Sequence, residues 1–167
     1  MSAEVIGFVE FVQSRSRDLL RTGWLLTGDW ALAEDLVQTA LLRCFRQWSS
    51  VRAPDAYVRA ALVTAYLSWR RRRAATERTT ATLPDTAAPD DLGPADLRAS
   101  VHTALSALSP RERTVVVLRY YTDLSEADTA TALGIAVGSV KRYAADALAK
   151  LRADPALTGL LTEEVTP

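Results

Sequence analysis

Residues 109–152 constrain the fold more than any other stretch. They read Ser-Pro-Arg-Glu-Arg-Thr-Val-Val-Val-Leu-Arg-Tyr-Tyr, then Thr-Asp-Leu-Ser-Glu-Ala-Asp-Thr-Ala-Thr-Ala-Leu-Gly, then Ile-Ala-Val-Gly-Ser-Val-Lys-Arg-Tyr-Ala-Ala-Asp-Ala-Leu-Ala-Lys-Leu-Arg. Ser109 and Glu112 have the spacing of a capping box, and Pro110 occupies a first helical position. Ser125 and Asp128 repeat the signal in weaker form, with Asp where Glu or Gln completes the box. Gly134 ends the helix that Ser125 begins, because glycine accepts the left-handed turn conformation. A further helix is expected from about Val137 to Arg152. Its apolar positions Val140, Ala144, Ala147, Leu148 and Leu151 advance in steps of three and four and form one buried stripe. Gly138, Ser139, Arg142, Ala145, Asp146 and Ala149 point the other way, with Lys141 and Tyr143 on the flanks. A short helix, a tight turn and a second helix with polar and basic groups outward fit the DNA major groove. The same pattern also fits a plain helical hairpin with a solvated face.

The rest of the chain predicts helix as well. Val5, Phe8, Val9 and Val12 open an amphipathic segment that Thr27-Gly28-Asp29 breaks, with Asp29 capping the next helix. That helix carries Leu32, Leu36, Val37, Ala40, Leu41, Cys44 and Phe45. After a loop from Gln47 to Pro54, a third helix runs from Pro54 or Asp55 to about Arg73. Residues 1–78 hold 12 Arg against 8 acidic groups. The stretch around Thr79 to Pro94 is Pro-rich and acidic and lacks the apolar groups of a packed core. Its four Asp residues, counted to Leu97, offset the basic surplus before it, and the chain's formal net charge is zero. The prediction is an all-α protein of two small helical domains, residues 1–78 and 95–152. A flexible acidic linker over 79–94 joins them, and a tail over 153–167 frays.

Enzyme chemistry finds little support. His102 and Cys44 are single residues of their kinds, and neither a glycine-rich phosphate loop nor a metal-spaced ligand set is present. No catalytic residue, metal or cofactor is expected. Glu4 and Glu10 with no long apolar run predict neither signal peptide nor membrane span, hence a cytoplasmic protein without membrane contact. Arg70, Arg71, Arg72 and Arg73 close the third helix. They read either as a solvated helix end favoured by the helix dipole or as phosphate contacts. Trp48, Tyr57, Tyr66 and Trp69 lie near them in sequence and suit either a core or stacking on unpaired bases.

From about Phe8 to Arg152 the chain resembles an extracytoplasmic-function sigma factor, most closely the actinobacterial SigE-like subgroup. Leu26-Thr27-Gly28-Asp29 with Ala33-Glu34-Asp35-Leu36-Val37-Gln38 is similar to the segment by which such factors grip the clamp helices of core RNA polymerase. Leu118-Arg119-Tyr120-Tyr121, Asp123-Leu124-Ser125-Glu126-Ala127 and Gly138-Ser139-Val140-Lys141 resemble the fourth conserved region, which reads the minus-thirty-five element. The resemblance implies a promoter-specificity subunit with a region 2-like first domain and a region 4-like second one. Its implied partners are core polymerase, promoter DNA and an anti-sigma factor or other regulator.

Carried over residue by residue, Asp35, Leu36, Val37 and Gln38 would contact the polymerase, with Asp35, Leu36 and Gln38 outward beside a buried Leu32, Val37 and Leu41. Trp48, Ser49, Ser50, Arg52 and Asp55 would form the loop that captures an unpaired minus-ten base, followed by Thr64 and Arg70 to Arg73 along the helix. Ser139, Lys141, Arg142, Tyr143 and Asp146 would meet the minus-thirty-five duplex. Thr39, Thr64, Ala136, Arg142-Tyr143 and Asp146 depart from the family's usual residues. Asp146 in particular repels phosphate yet can accept from a cytosine amino group. Two other functions stay open on the residues alone: a stand-alone helix-turn-helix regulator, and a degenerate sigma-like module that binds only a protein partner.

Overall fold

The computed structural model describes residues 2–76 and 93–158. Every regular element among them is helical, and the chain divides into two compact units, Met1–Ala87 and Ala88–Pro167. The acidic linker expected over 79–94 lies outside the described residues except for Gly93 and Pro94.

The first unit is a three-helix bundle of α1 (Ala3–Thr27), α2 (Trp30–Arg46) and α3 (Pro54–Thr76). Its boundaries follow from local chemistry. The Ser2 hydroxyl accepts the Val5 amide, and Gly28, at φ 70°, closes α1 by donating to the Trp24 carbonyl. Asp29 Oδ1 accepts the Leu32 amide at 3.1 Å and so caps α2. Pro54 supplies the first residue of α3, where its missing N–H costs nothing. The core comprises Leu19, Trp24 and Leu26 from α1, Ala33, Leu36, Val37, Ala40 and Cys44 from α2, and Val58, Leu62, Val63, Ala65 and Tyr66 from α3. Burial pushes the Cys44 thiol above its ordinary range, as expected of an inert packing residue. Buried Gly23 lets α1 approach α2 closely: a β-carbon there would lie 3.0 Å from Ala33 Cβ.

The second unit contains α4 (Ala95–Ser106), α5 (Pro110–Val116), a π-helical turn (Val117–Tyr121), α6 (Glu126–Leu133) and α7 (Val137–Arg152). The capping box is complete. Ser109 Oγ accepts the Glu112 amide, and Glu112 Oε2 accepts the Ser109 amide at 2.9 Å. The π-helical turn widens the end of α5, with the Thr122 amide reaching back to the Val117 carbonyl at 3.1 Å. Asp123 then adopts a left-handed conformation, φ 53°, and the Arg119 guanidinium donates to the Leu124 carbonyl, which holds the chain as it turns into α6. Ser125 caps α6 through the Asp128 amide, and Gly134, φ 63°, ends it. Val115, Ala130, Val140 and Ala144 form a core on which Leu133, Ile135 and Tyr143 pack. Of the tail expected to fray over 153–167, residues 159–167 lie outside the described residues, and 153–158 are ordered locally. Asp154 Oδ1 accepts the Ala156 amide, and a helical turn occupies 155–158.

Glu112 does more than cap. Its carboxylate also accepts Lys150 Nζ at 2.8 and 3.0 Å, tying the start of α5 to the end of α7. The Lys150 hydrogen bond first, then the Ser109 amide, holds the Glu112 carboxyl below its ordinary range. A lowered folded-state pKa stabilises the fold above the unfolded glutamate pKa, and this stability is lost as pH falls through the folded value. Glu112→Gln should therefore cost the second unit about 1–3 kcal/mol at neutral pH. The difference from the unaltered chain should close on acidification below about pH 4. Urea melts followed by circular dichroism at both pH values check this; a difference independent of pH rules out the charge as its source.

Candidate polymerase and nucleic-acid interfaces

In the first unit, α2 buries one face and leaves Glu34, Asp35, Gln38 and Thr39 on the other. Glu34 accepts the Trp30 indole N–H at 2.8 Å, and the Thr39 hydroxyl donates to the Asp35 carbonyl. Asp35 and Gln38 thus lie exposed one turn apart, as the sequence predicts. Leu36 and Val37 do not join them. They are only 5% and 3% exposed and sit in the bundle interior. This corrects the expectation for Leu36 as an outward residue. The helical period places it with Ala33, Val37 and Ala40, so both apolar residues support the α2 surface from below.

The loop from Gln47 to Ala53 begins with a 3-10 turn, Trp48–Ser50. Trp48 does not stand free to stack on a base. Its ring packs edge-on to Phe8 at 5.3 Å and lies 5.5 Å from Phe11, and Phe8 in turn meets Phe45 at 4.9 Å. The indole is therefore the anchor that pins the loop to α1, a non-local contact that sequence order does not reveal. Asp55 is also committed. It pairs with Arg59 one turn along α3 and with Arg15 of α1 at 3.5 Å. The Asp55–Arg59 pair is legible from its i,i+4 spacing; the bridge to Arg15 is not. Between these two anchors, Ser49, Ser50 and Arg52 are exposed.

Thr64 is exposed on α3, its hydroxyl satisfied by the Ala60 carbonyl at 2.8 Å. Arg71 lies two turns further on the same face and donates to Ser68 Oγ at 3.3 Å. Arg70 and Arg73 belong to an aromatic ladder. The Arg70 guanidinium is 5.9 Å from the Tyr66 ring, Tyr66 stacks on Trp69, and Arg73 is 5.2 Å from the Trp69 ring. Tyr66 is buried and Trp69 half-buried, so these aromatics serve the bundle edge, and the arginines fan out from it with Arg72 exposed between them.

In the second unit the helix α7 separates its faces cleanly. Val140 and Ala147 are fully buried, whereas Lys141, Arg142 and Asp146 are exposed and Ser139 half-exposed. Tyr143 takes the flank position that the helical period gives it. It is half-buried against the core cluster, and its ring carries the Arg142 guanidinium at 5.1 Å. Ala136 gives α7 no side-chain cap, in contrast with Ser109 and Ser125. Glu126, which no sequence signal marks as part of this surface, places its carboxylate 3.7 Å from Lys141 Nζ. The two are too far apart in sequence for any spacing rule to have paired them.

The comparisons with known proteins agree with this geometry. The family described as "Sigma-70, region 4" matches residues 98–151, which contain the helix-turn-helix. The RNA polymerase sigma-E factor of Streptomyces avermitilis is 39% identical over 152 residues, 89% of this chain and 85% of that protein. Its Streptomyces coelicolor counterpart is 38% identical with similar coverage. The extracytoplasmic-function sigma factor SigL of Mycobacterium tuberculosis is 35% identical over 78% of this chain and 80% of its own length. Among solved structures, the sigma factor RpoE from Bartonella quintana, in complex with the anti-sigma factor NepR, aligns with a TM-score of 0.67. It is 24% identical and covers 86% of this chain and 94% of that one, which is a likeness of fold. CnrH in complex with the cytosolic domain of CnrY aligns with a TM-score of 0.60 at 21% identity, over 95% of this chain and 89% of the other. Identity near 40% across both units, with a region 4 match on the helix-turn-helix, identifies more than a fold: the chain belongs to the extracytoplasmic-function RNA polymerase sigma factors, in the actinobacterial SigE-like subgroup.

Proposed function

We propose that the two units divide promoter recognition between them, the first holding core polymerase and opened minus-ten DNA, the second the minus-thirty-five duplex. As a sigma factor the chain is a promoter-specificity subunit that directs transcription initiation and is not an enzyme. The observation that carries the assignment of the second unit is the split of α7, with Val140 and Ala147 fully buried and Lys141, Arg142 and Asp146 exposed opposite them. A helix-turn-helix places the N-terminal residues of its second helix against base edges. Ser139 and Arg142, one turn apart, are the base readers, and Lys141 holds phosphate. Tyr143 supports Arg142 from below, and Asp146 accepts from a base amino group.

In the first unit, Asp35 and Gln38 contact the polymerase on a surface held by Leu36 and Val37. Ser49, Ser50 and Arg52 capture the unpaired base, with Trp48 and Asp55 holding the loop ends. Thr64 and Arg70 to Arg73 follow the strand as polar and phosphate contacts. The domain limits proposed from this division are 1–78 and 95–152, with 79–94 as the connecting segment. An anti-sigma partner is proposed as well. The fold is that of RpoE, solved with its anti-sigma factor, and the first unit exposes Ile6, Val9, Leu42 and Phe45 to such a partner. A cytoplasmic location is proposed too, and membership of a polymerase subunit family supports it.

The double substitution Asp35→Ala with Gln38→Ala tests the polymerase surface. Both side chains are exposed, so circular dichroism should not change, while co-elution with purified core polymerase and run-off transcription should fall together. Undiminished co-elution of the folded variant assigns the polymerase contact elsewhere.

A further inference from the structure

The DNA-facing side of the helix-turn-helix is poor in positive charge. Over residues 125–146 it carries Lys141 and Arg142 against Glu126, Asp128 and Asp146. Two of these acids, Glu126 and Asp128, lie in the first turn of α6. There they favour the helix itself, because the amide dipoles leave positive potential at an N-terminus. In a helix-turn-helix, however, the first helix crosses the DNA backbone. Negative charge in its opening turn therefore faces the phosphates that the fold would approach.

The turn at Gly134 brings that opening turn of α6 beside the first turns of α7. Glu126 Oε2 lies 3.7 Å from Lys141 Nζ, with the two side chains 40% and 63% exposed. The separation exceeds an ordinary N–H···O hydrogen bond, so the contact is an ion pair held loosely in solvent. Arg142 is differently placed: its guanidinium lies over the Tyr143 ring, and no ion pair to it is found among the described residues. Of the two cations in the first half of the recognition helix, Lys141 and Arg142, it is Lys141 that sits within reach of a carboxylate.

We infer that Glu126 restrains Lys141, so that a DNA phosphate must displace the Glu126 carboxylate before Lys141 can hold the backbone. This rests on the reading of Lys141 as a phosphate contact. The consequence falls on overall affinity, not on the ratio between sequences. A phosphate contact strengthens binding to every sequence alike, whereas base-edge contacts discriminate. Restraining the phosphate contact lowers the affinity of the second unit for arbitrary DNA and leaves the base-reading Arg142 untouched. Exposed pairs contribute little, so the expected effect is modest: at most about five-fold in affinity.

The test uses the full chain in complex with core polymerase. Binding is measured to a promoter duplex and to one with a scrambled minus-thirty-five element, at several salt concentrations. Four proteins are compared: unaltered, Glu126→Gln, Lys141→Ala, and the double variant. Glu126→Gln should tighten binding to both duplexes by about two- to five-fold at low salt, and the gain should fade as salt rises. In the Lys141→Ala background the same substitution should change nothing, because the restrained cation is gone. Circular dichroism melts confirm that each variant is folded. A gain that persists in the Lys141→Ala background overturns the inference, since Glu126 would then repel phosphate directly. Absence of any gain, with Lys141→Ala still weakening binding, overturns this inference alone. If Lys141→Ala leaves binding unchanged, the phosphate reading of Lys141 falls, and the inference with it.

Discussion

Replacing Gly23 with leucine should destabilise the first unit by about 1–3 kcal/mol or more, the cost of forcing extra methylenes into a closely packed interior. A β-carbon at this position would meet Ala33 Cβ at 3.0 Å and Ala33 Cα at 3.3 Å. The obstacle is partly backbone, which cannot rotate aside as a long side chain could, and Ala33 is itself fully buried. Glycine inside a helix is worse than alanine by about 1 kcal/mol. Gly23→Ala therefore gains helix propensity while losing the close approach, and should be far milder than Gly23→Leu. The readout is specific to the unit. All four tryptophans, Trp24, Trp30, Trp48 and Trp69, belong to the first unit, so their fluorescence in a urea melt of the whole chain reports it alone. A Gly23→Leu variant whose fluorescence midpoint stays with that of the unaltered chain would falsify the close-packing argument.

That contact also marks the limit of what sequence discloses. Helix ends were legible because each is a matter of a few adjacent residues. Asp29, Ser109 with Glu112, Ser125 and Gly134 act on amides within one turn, and the structure uses each as expected. The two faces of α7 were legible for the same reason, since a period of 3.6 residues sorts buried from exposed positions. What failed was everything that depends on which helix lies opposite. Leu36 is apolar and belongs to the inner face of α2, but matching it to a family motif placed it outward. Trp48 is an amphipathic side chain whose sequence neighbourhood fits both a core and a nucleic acid, and its packing on Phe8 and Phe11 depends on the approach of α1. The Glu112–Lys150 and Glu126–Lys141 pairs, like the bridge from Arg15 to Asp55, join residues far apart in the chain. The π-helical turn after Val116 is invisible to periodicity because one extra residue in a turn shifts the pattern without breaking it.

Arg142→Ala should relax the preference for one base pair of the minus-thirty-five element, with a loss of discrimination of about 1–3 kcal/mol, or up to roughly a hundred-fold. The guanidinium lies over the Tyr143 ring, and Tyr143 is half-buried against Val115, Ala130, Val140 and Ala144. A planar fork held on a packed ring is already oriented before DNA arrives, which suits bidentate recognition of a guanine edge. Lysine has no such fork, so Arg142→Lys should keep the charge and much of the overall affinity yet lose the base preference. Lys141→Ala should behave oppositely, weakening all sequences about equally. Transcription from a randomised minus-thirty-five library by each variant separates the cases. An unchanged base pattern with Arg142→Ala would reassign Arg142 to the phosphates.

The loop between α2 and α3 has both ends fastened, Trp48 against Phe8 and Phe11 of α1, Asp55 to arginines of α1 and α3. Only six residues, Ser49 to Pro54, lie between the fastenings. A segment so short and so tethered has little conformational freedom left to surrender. Whatever it binds meets a receptor ordered in advance, and the entropy of arranging it was spent when the bundle folded. Affinity at this loop should then depend on the bundle's integrity as much as on the loop's own side chains. Loosening the aromatic anchor at Phe8 or Phe11 would weaken binding through entropy while the exposed residues of the loop remained in place.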